Sequence, residues 1–141
     1  MEQSDFRVAV LGCSGIGRLV STIVRQALYM IQKDRPDQVI LCSSGALTGD
    51  VPEVLALARR YPLLVIDGCR PHCGTAIASG KGLPVAASIY VADVIARGKL
   101  SLAGEHREGL GERGMAVARA VADEALAKID WLLADEMVSH L

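Results

Sequence analysis

Four short runs rich in branched aliphatic residues, at 6–12, 38–42, 63–67 and 84–92, alternate along this chain with stretches whose apolar residues recur at helical spacing. A strand covered on both faces reads as a nearly continuous apolar run, and LLVID at 63–67 is such a run. Strands that alternate with helices are joined by right-handed crossovers, so they pair in parallel and the helices cover the sheet on both sides. The expected architecture is therefore α/β. It is a single three-layer domain with a four-stranded, mainly parallel sheet, order 2-1-3-4, and helices on both faces.

Between the first two runs, apolar residues at 16, 19, 20, 23, 24, 27, 28 and 31 mark an amphipathic helix, closed by Lys33, Arg35 and Pro36. Asp50 with Glu53 three residues later reads as a capping pair that opens a helix to about Arg60. A short helix is expected from Cys73 to Ala78, ending at Gly80 and Gly82, and Asp93 starts another. Residues 98–114 hold five glycines among charged residues and read as a loop with the composition of a mobile segment. The stretch from about 112 to 137 is strongly periodic, with Val117, Val121, Leu126, Ile129, Leu132 and Leu133 directed at a core. Its partner is either the chain's own sheet or a second copy in a homodimer, and the pattern leaves both open.

With 141 residues, 51% of them hydrophobic, the chain suits one domain over 1–141, with its core at about 6–95 and a C-terminal helix at about 112–137. A net charge of −1 and only one Trp, three Tyr and one Phe give no basis for binding nucleic acid. No apolar stretch approaches the ~20 residues of a membrane span, and MEQSDFRVAVLGC lacks the basic start of a secretion signal. These features point to the cytoplasm. Thiols there stay reduced, so clustered cysteines favour metal binding or catalysis over disulfides.

The cysteines are placed where such a role would need them. Cys13, Cys42 and Cys69 each close or directly follow an apolar run, and Cys73 follows Cys69 at a C-x3-C spacing. Open parallel sheets bind ligands at the carboxyl ends of their strands. The turn Gly12-Cys13-Ser14-Gly15-Ile16-Gly17-Arg18 resembles the GxxxGIG turn of short-chain dehydrogenases with one residue deleted, and Tyr29–Lys33 is an ordinary helix face. It also falls one residue short of the C-x5-R loop of cysteine phosphatases. What survives is the general property of a glycine turn at a helix N-terminus, which stabilises an anion such as a thiolate.

Asp67-Gly68-Cys69-Arg70-Pro71-His72-Cys73-Gly74 is the most specific motif. With Cys-Ser-Gly at 13–15, Cys42, Thr48-Gly49-Asp50 and VAASIYVADV at 85–94, it resembles the DGC domain family, described as zinc-binding, over roughly residues 7–95. The family pattern has proline directly after the DGC cysteine, where this chain has Arg70. The resemblance implies a zinc site with four cysteine ligands, here Cys13, Cys42, Cys69 and Cys73. Physically, four thiolates close a tetrahedral zinc at ~2.3 Å each. The resulting net charge of −2 could be offset by two helix N-termini and by Arg18, Arg70 or Lys81.

Sheet spacing works against the full set, because strands ~4.8 Å apart leave Cys42 and Cys69 about 10 Å apart unless their loops fold inward. Cys42 can also be read as a small buried hydrophobe. Asp67 either orients the site or caps a loop. His72 is either a solvent-facing loop residue or a competing ligand, and His106 and His140 read as surface residues. Beyond the zinc reading, whether for carriage, sensing or structure, stand two alternatives. One is a thiol-based redox or sulfur-transfer enzyme using Cys13 or the Cys69–Cys73 pair. The other is an iron–sulfur cluster.

Overall fold

The computed structural model describes residues 6–13, 15 and 17–139. Ser14 and Ile16 of the glycine-rich turn, and His140, lie outside the described residues. The elements run β1 (Val8–Gly12), α1 (Leu19–Asp34), β2 (Val39–Cys42), α2 (Ser44–Thr48), α3 (Pro52–Arg60), β3 (Leu63–Asp67), α4 (Cys73–Gly80), β4 (Ala87–Tyr90), α5 (Val91–Gly98) and α6 (Glu112–Ser139). The sheet order is β2-β1-β3-β4 with every pair parallel, the arrangement that the alternating pattern predicts.

Both faces of the sheet are covered, and the period-two alternation of the strands divides the core accordingly. Val8, Val10, Leu64, Ile66 and Ile89 face α1, α5 and α6. Ala9, Leu11, Leu63 and Val65 face the other way, against Leu47 of α2, Ala58 of α3 and Ala78 of α4. All five residues of β1 and of β3 are buried, which is why their sequences carry almost no polar residue. Asp67, at the end of β3, is the exception and belongs to the site.

Helix α6 lays Val117, Ala118, Val121, Ala122, Ala125 and Ile129 into the core at full burial, alongside Ile23, Val24, Ala27 and Ile31 of α1. The buried stripe of the C-terminal helix thus packs within its own chain. Small residues at 118, 122 and 125 let α6 approach closely. No helix among the described residues is long and apolar enough to cross a membrane.

Three local readings are corrected. Asp50 does not cap α3: its backbone is left-handed at φ 59°, and its carboxylate accepts from Lys81 Nζ at 2.7 Å. The helix starts one residue later, with Val51 at its N-cap and Pro52 in its first turn. The fourth strand is only Ala87–Tyr90, because Pro84 has no N–H to donate to a ladder and pairing begins at Leu64↔Ala87. Beyond Tyr90 the apolar residues change period: Val91 and Val94 are buried three apart, on a helix that opens two residues before Asp93. Helix α2 was not anticipated. Ser43 caps it by accepting the Ala46 N–H at 3.3 Å.

The glycine-rich stretch after α5 is tied down at several points. The Arg107 carbonyl accepts from Thr22 Oγ1 at 2.8 Å, and Arg107 Nη1 donates to the Gly17 carbonyl at 3.2 Å. Glu105 Oε1 accepts the Gly111 N–H at 2.6 Å. The segment lies against the N-terminal end of α1, where it holds the Gly17 carbonyl and Thr22.

Candidate metal centre

β1 and β3 are neighbours at the middle of the sheet, so the turns leaving their carboxyl ends meet. The Cys13 N–H donates to the Ile66 carbonyl at 3.2 Å, fixing the start of the first turn against the end of β3. Two residues beyond β3, Cys69 enters a tight turn in which the His72 N–H returns to the Cys69 carbonyl at 3.0 Å. Cys73 then opens α4. This places the sulfurs of Cys13, Cys69 and Cys73 within 4.8 Å of one another. Cys69 Sγ and Cys73 Sγ are 3.6 Å apart, and all four cysteines are free thiols.

The donor set suits a soft metal. Zinc–thiolate bonds of about 2.3 Å in a tetrahedron put neighbouring sulfurs about 3.8 Å apart. The Cys69–Cys73 pair lies close to that edge length, and Cys13 closes a triangle of similar size. Cys42 lies outside this group of three. It ends β2 opposite Leu11, is 6% exposed, and packs in the apolar cluster with Ala9, Leu11 and Leu47.

The four thiols differ in acidity. Cys13 is pushed up to about 11 by burial and by the charges that Cys69 and Cys73 would carry. Cys42 is also pushed up to about 11, by burial. Burial works in the same direction on Cys69. There, however, the Cys73 N–H, the thiols of Cys73 and Cys13, and the Arg18 guanidinium outweigh it, and its pKa falls below the usual thiol value. Cys73 is raised, first by its hydrogen bond to Cys69. One sulfur of the three is thus the preferred thiolate, held at a helix N-terminus and beside a cation. A bound cation would favour ionisation of the others.

Asp67 is the keystone of the turn. Its side chain is 1% exposed and reaches the first turn of α4. Oδ1 accepts the N–H groups of Gly74 at 2.8 Å and Thr75 at 3.3 Å, and Oδ2 accepts the Thr75 hydroxyl. The carboxylate therefore caps α4 from seven residues upstream and lies at the favourable end of its dipole. Of the two sequence readings, capping is what the contacts show, and through it Asp67 positions Cys73.

His72 Nδ1 is 3.3 Å from Asp67 Oδ2, and its ring lies on Tyr90 with centroids 4.5 Å apart. Its backbone is left-handed, at φ 53°. It is anchored to Asp67 and Tyr90 and does not join the three sulfurs. Lys81 is engaged by Asp50, so among the cations considered from sequence Arg18 is the one acting on a site thiol. His106 is exposed, as expected.

Sequence reading did not single out Thr75 or Tyr90. The available signal for Thr75 was its position two residues after Cys73, where a helix N-terminus seeks an acceptor.

The glycines of the motif permit close approach. A Cβ on Gly68 would lie 3.0 Å from the Val20 carbonyl and 3.0 Å from Val24 Cγ2. A Cβ on Gly74 would meet Val65 Cγ1 at 2.9 Å and Asp67 Oδ1 at 3.0 Å. Gly68→Ala should cost about 1–3 kcal/mol through overpacking against backbone that cannot yield easily. That predicts a fall in Tm on the order of 5–10 °C, read by thermal denaturation. An unchanged Tm would mean that α1 can move away from the turn.

A family model for the DGC domain matches residues 9–121. The match therefore runs past the cysteine motifs, through the glycine-rich segment and into α6. Neither the curated proteins nor the solved structures include a match to the chain.

Proposed function

The chain belongs to the DGC domain family, and from that premise we propose that it binds zinc through a thiolate centre built on Cys13, Cys69 and Cys73, while Cys42, the fourth cysteine of the family set, packs in the neighbouring apolar cluster. The observation that carries this reading is the approach of three sulfurs to within 4.8 Å at the carboxyl ends of β1 and β3. Zinc would supply a redox-inert dication there, held by the thiolates of Cys13, Cys69 and Cys73. The residues around it have separate tasks. Asp67 holds α4 so that Cys73 faces Cys69, and Arg18 offsets negative charge at Cys69.

A role in metal carriage or sensing fits better than a structural one. Both core layers are assembled from residues such as Val10, Leu11, Leu64 and Val65 at full burial, independently of the three clustered thiols. A metal that the fold does not require is held for another reason. A cytosolic setting suits this reading, because it keeps the thiols reduced.

A second reading rests on the 3.6 Å separation of Cys69 and Cys73 and the lowered pKa of Cys69. In it the pair is a reactive dithiol serving redox or sulfur-transfer chemistry.

Elemental analysis of protein purified without added metal, together with a thiol count, tests the proposal. The expected result is about one zinc per chain and protection of Cys13, Cys69 and Cys73 from alkylation until a chelator is added. The far-UV circular dichroism should survive chelation. Metal-free protein with four freely reactive thiols would overturn the zinc reading in favour of the dithiol. A brown chromophore would point to an iron–sulfur cluster, and cooperative loss of helix on chelation would make the zinc structural.

A further inference from the structure

Helix α6 carries two apolar stripes, and the core uses only one. The second consists of Ala127, Trp131, Ala134 and Val138, at spacings of four, three and four, which is the seam of a helix pair. All four residues are exposed, Trp131 at 63% and Val138 at 66%. Beside Trp131 runs a groove of about 520 Å³ whose opposite wall is Ala86, Ala87 and Ser88. Ala87 and Ser88 open β4, the strand at the edge of the sheet, which pairs with β3 on one side only. A tryptophan left in water beside an open strand edge forgoes a large apolar burial.

The geometry points to a second copy of this chain as the occupant, with two α6 helices packed antiparallel across a twofold axis near Trp131. The stripe is complementary to itself in that orientation. The large Trp131 of one copy lies over the small Ala134 of the other, and Ala127 lies against Val138. In an antiparallel pair, the flanking residues that follow every second seam position, here after Ala127 and Ala134, meet their own kind across the axis. Here these are Lys128 and Asp135, seven residues apart and opposite in charge. Among the described residues neither has an ion-pair partner within the chain. The twofold axis makes the Lys128–Asp135 pair twice, and such pairs fix orientation and partner.

Sedimentation of the full chain over a range of concentrations tests this directly, with Trp131, the chain's one tryptophan, reporting on its own burial. The expected result is a dimer whose tryptophan emission moves to the blue as concentration rises. Trp131→Ala, and separately Lys128→Asp, should each weaken dimerisation by about tenfold or more, with circular dichroism unchanged because Trp131 is exposed and Lys128 only half-buried, outside the core clusters. The double variant Lys128→Asp with Asp135→Lys should restore it. A monomer at all concentrations overturns the proposal. A dimer indifferent to both single variants, or a charge swap that fails to rescue, does so as well.

Discussion

Serine at Cys69 or Cys73 is expected to empty the metal centre. The two sulfurs lie 3.6 Å apart on one turn and together form one edge of the ligand polyhedron, so losing either removes that edge. Losing a residue that merely supports a ligand commonly costs 10–100-fold in affinity, and losing a thiolate ligand should cost more than about 100-fold. Cys13→Ser should behave like them, since its sulfur completes the group of three. Cys42→Ser should keep most of its zinc and instead lose about 1–3 kcal/mol of stability, from a hydroxyl set among Ala9, Leu11 and Leu47. Metal content and chemical denaturation of the four single variants separate these outcomes. Equal retention of zinc by all four would contradict any centre built from the cysteines, and equal loss would make Cys42 a full ligand.

Acidity adds a sign to the same experiment. Burial and the neighbouring thiols push Cys13 up to about 11, and Cys73 is also raised, so binding a cation must expel their protons. Zinc affinity should therefore rise as pH increases through neutrality and fall in acid. An affinity flat between pH 6 and pH 9, a range of about three units in which thiols normally gain charge, would argue against thiolate ligation.

Asp67→Ala should destabilise the domain by about 3 kcal/mol or more. It removes the acceptor for two N–H groups and a hydroxyl at the start of α4, each of which then lacks its partner in a closely packed turn. Asp67→Asn keeps one carbonyl oxygen and should cost less. Urea denaturation of the two variants, beside their zinc content, tests the idea that one carboxylate holds both the helix and the cysteine at its first position. A loss below about 1 kcal/mol in Asp67→Ala would remove Asp67 from that role.

The sheet was legible because its strands are buried on both faces, and runs such as LLVID at 63–67 carry that burial openly. Parallel pairing and strand order followed from the alternation with helices. The five-residue α2 was not legible, since one turn and a half of helix shows no period. Asp50 misled because an acidic residue three before a glutamate is a capping pattern, whereas a following Val-Pro forces the helix to begin later and frees Asp50 to meet Lys81. The end of β4 was hidden for a related reason. VAASIYVADV is apolar throughout, and only the burial of Val91 and Val94 three apart reveals the change of period.

The centre was legible in part. That Cys13, Cys69 and Cys73 come together follows from β1 and β3 being neighbours. The separate position of Cys42 reflects the width of one further strand. The capping of α4 by Asp67 depends on a turn whose shape the motif does not spell out.

The pairing of α1 with α6 joins opposite ends of the chain, and this bears on how the protein is made. Chains emerge from the ribosome N-terminus first, at about 5–20 residues per second. All three clustered cysteines, every strand and the helices α2, α3 and α4 are therefore synthesised before Val117, the first valine of α6 to enter the core. Until α6 arrives, Ile23, Val24 and Ala27 of α1 lack its cover, and the nascent domain is a sheet finished on one side only. Such an intermediate can already bring the thiols together while remaining prone to aggregate. A chain stopped after Gly98 should therefore stick to itself, and the hazard of its synthesis lies in waiting for its last helix.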